Sequence, residues 1–111
     1  MQFMMFVCSD SEPDDKPEAK GEVEAWVDDL EKRKKRITGD RLRPKKEAKT
    51  VRVRKGKLLV TDGPYTEAEE VILGFDILDC DSIEEAVEIA SRHPMARAGR
   101  IEVRAFWPFE G

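Results

Sequence analysis

The run Gln2-Phe3-Met4-Met5-Phe6-Val7-Cys8 puts Phe3, Met5 and Val7 on one side of an extended chain and Met4, Phe6 and Cys8 on the other. A strand that is apolar on both sides needs cover above and below, so it is predicted to lie in the centre of a sheet. Val71 to Leu78 repeats the pattern, with Leu73, Phe75 and Ile77 on one face and Ile72, Gly74 and Leu78 on the other. It is predicted as a second central strand. What joins these two strands decides the class of fold.

Between them lies first a polar stretch, Ser9 to Lys16, read as a loop, with Pro17 suited to a first helical position. Ala19, Val23, Trp26, Val27 and Leu30 then recur at helical spacing and Ile37 lies two turns on, which predicts an amphipathic helix of about twenty residues. Glu18, Glu22 and Glu24 near its start and Lys32 to Arg36 in its last turns complement the helix dipole. Gly39 is read as its C-terminal cap. Asp40 to Arg43 is a candidate short strand before Pro44. Thr50-Val51-Arg52-Val53-Arg54, a turn at Lys55-Gly56-Lys57 and Leu58-Leu59-Val60-Thr61 make a β-hairpin. After the second central strand, Ser82 with Glu85 forms a capping box for a helix whose stripe is Ile83, Ala86, Val87 and Ala90. That helix ends before His93-Pro94, because the residue ahead of a proline avoids helical geometry. Ile101, Val103, Ala105 and Trp107 close the chain as a strand stopped by Pro108.

With the hairpin treated as an insertion, the order is βαββαβ, a ferredoxin-like α+β arrangement. Two helices cover one face of a four-stranded antiparallel sheet. The other face, lined by residues such as Met4, Phe6 and Trp107, is too apolar for water. A homodimer burying sheet against sheet is expected.

The 111 residues fit one domain, 1–111. Charged residues make up 40% of the chain, which puts solvated faces on its helices, and the five Phe, two Trp and four Met suffice for a core. The net charge of −4 conceals a segregation: −8 over residues 1–31, +12 over 32–57 and −8 over 58–111. A basic middle serves either an anionic partner or acidic neighbours within the fold or across a dimer. Nucleic acid is an unfavoured partner. The basic segment Arg41 to Lys57 lacks interleaved aromatics and a recognition-helix pattern, and the pI is near 5.1. The two cysteines, Cys8 and Cys80, have no metal-ligand spacing and read as reduced apolar fillers of a cytoplasmic protein. The apolar start is too short for a signal peptide or a membrane span. No phosphate-cradling loop, zinc spacing or nucleophile elbow occurs, and no metal or cofactor is expected.

Four residues are candidates for a site. Asp62-Gly63-Pro64-Tyr65 is a turn by physics, since Asp accepts backbone N–H groups, Gly permits positive φ and Pro fixes the next φ. The same turn places the Asp62 carboxylate and the Tyr65 hydroxyl where a pocket mouth would use them. His93, the single histidine, ordinarily titrates near neutrality and suits a general base oriented by Asp62 or Glu67. Its alternative role is partner to a helix C-terminus. Glu67, Glu69 and Glu70 read as a solvated turn or helix start rather than a cation site, and Trp26 reads as core.

Val60-Thr61-Asp62-Gly63-Pro64-Tyr65-Thr66-Glu67, then Glu70 and Leu73-Gly74-Phe75, resembles the signature of the DGPF branch of YCII-related proteins. His93-Pro94 followed by Gly99-Arg100-Ile101-Glu102-Val103-Arg104 is similar to the ending of that family. The likeness runs from Met1 to about Trp107. It implies a dimeric α/β barrel, two ferredoxin-like halves joined through their sheets, and it implies no assigned reaction, although a His and an Asp lining a cleft have suggested one. Tyr65 replaces the branch's usual Phe, Glu69 its Lys and Leu73 the first Gly of a pair. His93-Pro94 stands where the family carries Asp-Pro, and the Trp26 region where it carries a histidine. The expected function is small-molecule binding or catalysis in a pocket between sheet and helices near His93, Asp62, Tyr65 and Glu67; the alternative is a non-catalytic interaction module using the basic hairpin.

Overall fold

A computed structural model describes residues 1–14, 21–64 and 71–109. Its strands and helices are β1 Gln2–Cys8, α1 Glu22–Lys32, β2 Arg36–Arg41, β3 Lys49–Arg54, β4 Lys57–Asp62, β5 Ile72–Asp79, α2 Ile83–Ser91, α3 Met95–Ala98 and β6 Arg100–Ala105, with a 3-10 turn at Lys45–Glu47. Four strands form an antiparallel sheet in the order β2-β5-β1-β6. The two runs that are apolar on both sides, β1 and β5, are the central pair. Strands β3 and β4 form a separate two-stranded sheet. The architecture is α+β and ferredoxin-like, with a hairpin inserted between the second and third strands of the main sheet.

Registers show how the core is made. Phe3 faces Leu78 and Ala105, Met5 faces Asp76 and Val103, and Val7 faces Gly74 and Ile101, so these positions share the helix side of the sheet. Phe3, Met5 and Leu78 are fully buried there under Trp26 and Leu30 of α1 and Ala86, Ile89 and Ala90 of α2. Each large side chain so buried is worth about 1.5–3 kcal/mol. On the opposite face Met4 pairs with Ile77 and Phe6 with Phe75, and all four are only half-buried. Helices α1 and α2 lie on one face, as the order of elements required.

The elements differ from the sequence expectations in four places. Helix α1 does not run on to Gly39. It stops at Lys32, and Lys34 takes a left-handed conformation at φ 57°. The N–H of Lys34 donates to Glu31 O (3.1 Å) and that of Lys35 to Leu30 O (2.8 Å), the paired bonds of a Schellman cap with lysine where glycine is usual. The second strand therefore starts at Arg36 rather than Asp40, and Gly39 lies within it. Helix α2 is rotated from the expected stripe, with Ile89 buried and Ile83 and Val87 exposed, because the capping box sets the start while Ile89 reaches the sheet. The last strand ends at Ala105, and Trp107 lies beyond it, 93% exposed. The expected start of α1 at Pro17 to Ala19 falls outside the described residues. Among the described residues no helix is long and apolar enough to cross a membrane.

Candidate functional site

A cleft of about 480 Å³ opens between the sheet and the helix layer, floored by β2 and β5 and walled by α1 and the α2–α3 junction. Its floor is cut by two glycines. A Cβ on Gly74 would lie 2.8 Å from Asp40 O, and one on Gly39 would collide with Asp76 Oδ1 and lie 2.6 Å from Arg36 Nη2. Glycine at 39 is thus what lets an ion pair cross over β2.

That pair is Asp76 with Arg36. Asp76 projects from the middle of β5 to the helix side, opposite Met5, and is only 6% exposed. The Nε–H of Arg36 donates to its Oδ1 at 2.8 Å, while the Nη1–H group donates to Glu31 Oε1 at 3.0 Å. Burial pushes the Asp76 carboxyl above its ordinary value of 3.8 although the hydrogen bond and charge of Arg36 pull it down. Desolvation wins because one shared guanidinium replaces a full hydration shell.

His93 lines the same cleft and is 4% exposed. It follows the last turn of α2, its own N–H donating to Ala90 O at 3.1 Å. Pro94 then turns the chain into α3, where His93 Nδ1 accepts the Met95 N–H at 3.0 Å. A ring nitrogen that accepts carries no proton, so the neutral tautomer has its hydrogen on Nε2. The ring meets Trp26 edge to face, centroids 4.8 Å apart at 71°. Trp26 is fixed in turn by its Nε1–H, which donates to Ile89 O at 3.0 Å. Trp26 is core, as its helical spacing implied, and it also holds the imidazole at the cleft wall.

The remaining sequence candidates are placed differently. Asp62 ends β4, is exposed, and pairs with Lys49, whose ammonium holds the carboxyl below its ordinary range. It is not among the residues lining the cleft that contains His93. Thr50 Oγ1 donates to Gly63 O at 2.8 Å, and Gly63 takes the positive φ expected of it, 89°. Asp62, however, is the last residue of a strand, its carboxylate is engaged by Lys49, and the Tyr65 end of the expected turn lies outside the described residues. Tyr65 and Glu67, with Glu69 and Glu70, lie outside the described residues. Asp76 is the residue that sequence reasoning missed. Its signal was a single charge inside an eight-residue apolar central strand, where an ionisable group must have a partner or a purpose. Among the described residues no group of three or more His, Cys, Asp and Glu side chains is gathered to hold a metal ion.

Comparison with known proteins identifies a family and is silent on chemistry. A stretch of 50 residues is 44% identical to an uncharacterised protein of Rhizobium meliloti, covering 45% of this chain and 40% of that protein. The chain therefore spans well under two thirds of the length of that relative. The YCII-related domain matches residues 1–110. On that match, which takes in both central strands, the cleft and the inserted hairpin, the chain belongs to the YCII-related family.

Proposed function

We propose that this chain is a single YCII-related domain that binds a small polar organic molecule in the cleft between sheet and helices, with Asp76 and His93 as its proton-handling groups. The observation that carries this reading is Asp76, a buried carboxylate whose affinity for its proton is raised by burial and which lines one cleft with an imidazole. Strained ionisation of this kind costs stability and is characteristic of sites that move protons. Arg36 and Arg41, from β2 in the floor of the cleft, suit a carbonyl or carboxylate group of the ligand. Asp62, Tyr65 and Glu67 are proposed to meet the ligand from the end of β4 and the segment that joins it in sequence to β5, the strand that floors the cleft.

The test is an NMR titration of the protein with a panel of small organic acids, amides and ketones. Side-chain signals of His93 and Asp76 are expected to shift with at least one member. His93→Asn, which retains an acceptor for the Met95 N–H, is expected to weaken that binding about ten-fold or more. Binding that ignores the substitution, or a panel that moves no cleft signal, refutes the reading.

The working form is a cytoplasmic homodimer joined through the open sheet face. Met4, Phe6, Phe75 and Ile77 are half-buried there with both helices on the other side, which supports it. A second reading is an interaction module using the basic hairpin, favoured by the aliphatic residues that β3 and β4 leave exposed.

A further inference from the structure

No residue of the β3–β4 arm is among those lining the cleft, and the two faces of the arm differ in chemistry. Cross-strand pairing of Val51 with Val60 and of Val53 with Leu58 puts four aliphatic side chains on one face. They are 62%, 52%, 59% and 66% exposed, in that order. The other face carries Arg52 opposite the less exposed Leu59, and Arg54 opposite Lys57. A two-stranded hairpin alone is marginal in water, and four clustered aliphatic residues are more than scattered surface leucines and valines. The protein's own body does not cover them.

Charge identifies what does. Residues 45–62 hold seven bases and two acids, a net +5, so the rest of the chain carries −9. The arm leaves the sheet at the end marked by Cys8 and Ile72, since it follows Arg41, which pairs with Gly74, and precedes β5. The opposite end, where Gln2 pairs with Asp79, carries the exposed acids Asp79, Asp81 and Glu84. There too the chain runs out of β6, held by the Phe106 N–H donating to Gln2 O at 3.0 Å, into Trp107 and Phe109, both almost wholly exposed. One end of the sheet is basic and aliphatic, the other acidic and aromatic.

The geometry points to a second copy of this chain as the partner: the aliphatic face of the arm docks over the end of the other copy's sheet that carries Phe106, Trp107 and Phe109. This rests on the dimer through the open face. A two-fold axis between the two sheets, running across the strands, lays the arm end of each copy over the aromatic end of the other, so one contact is made twice and the assembly closes. An axis along the strands would instead stack arm on arm, +5 against +5, which like-charge repulsion opposes.

Sedimentation equilibrium and tryptophan emission, followed over a concentration series, test it. In the triple variant Val51→Thr, Val53→Thr, Leu58→Thr, threonine keeps strand propensity and removes aliphatic surface. Its dimer dissociation constant is expected to rise at least ten-fold above that of the wild type. Wild-type emission is expected to shift to the blue as dimer forms, because Trp107 leaves water. Phe6→Glu, on the open face, separates the two ideas. If Phe6→Glu dissociates the dimer and the triple variant does not, the arm contact is overturned and the sheet interface stands. Emission that does not shift through dimerisation overturns the contact with the aromatic end. A wild type that remains monomeric throughout overturns both.

Discussion

At Asp76 the cost of burial and the attraction of Arg36 oppose each other, and burial prevails. The sign of the consequence for stability follows. A carboxyl whose folded value is raised contributes stability that is present below its unfolded value of 3.8 and lost as pH rises through the folded value. At neutral pH the ionised group is therefore a burden on the fold. Asp76→Asn is expected to leave the melting temperature at pH 7 unchanged or raise it, since Arg36 keeps Glu31 as a partner, while ligand binding in the cleft falls. Differential scanning calorimetry beside the NMR titration checks this; a large loss of stability would show the carboxylate to be structural. A carboxyl carbon titration is expected to place Asp76 above the ordinary aspartate value of 3.8 and Asp62 below it because of Lys49. The site was half legible. His93 could be singled out because it is the one histidine, but Asp76 sits in a strand whose apolar alternation drew attention to its neighbours. Its partner Arg36 was absorbed into a run of bases that reads as the end of a helix.

At the scale of elements, the central strands, the hairpin and the start of α2 were readable because each carries a local signal: two-sided apolarity, a turn with glycine, a serine three residues ahead of a glutamate. Ser82 Oγ does accept the Glu85 N–H, at 3.2 Å, and the hairpin turns on Lys55 and Gly56, both at positive φ. The end of α1 was not readable, because the chain reverses at Lys34 with no glycine to announce it. Ile37 and Gly39 happened to continue a helical spacing, while the pairing of Gly39 with Asp76 that puts them in a strand is a tertiary fact. A lysine at φ 57° pays a left-handed penalty that glycine does not. Lys34→Gly is accordingly expected to stabilise the protein by about 1 kcal/mol, the left-handed relief exceeding the glycine's extra unfolded-state entropy. Urea denaturation checks it, with a higher midpoint expected at an unchanged m-value. A loss of stability would mean that the Lys34 side chain matters more than its backbone.

For the whole molecule, the radius of gyration is 16.1 Å, with extents of 48 × 43 × 20 Å, against roughly 13 Å for a compact chain of this length. The excess reflects a thin two-layer body with a projecting arm, a shape with more apolar surface than one chain covers. The two thiols report on whether a second copy covers the sheet, since neither is in a disulfide. Cys80 is buried in the helix-side core, and burial, helped by Glu85, pushes its thiol up to about 11. At pH 8 only roughly one Cys80 in a thousand is a thiolate, and that one is enclosed. Cys8 ends β1 on the open face, half-buried, its Sγ–H donating to Phe6 O at 3.7 Å. With a disulfide reagent at pH 8, dilute protein is expected to show one reacting thiol, Cys8, and concentrated protein progressively less as sheets pair over it. Cys8→Ser should abolish the fast phase, and Phe6→Glu should restore full Cys8 reactivity at high concentration. Reactivity independent of concentration in the wild type would mean that the open face stays in contact with water, and the excess apolar surface would then need another occupant.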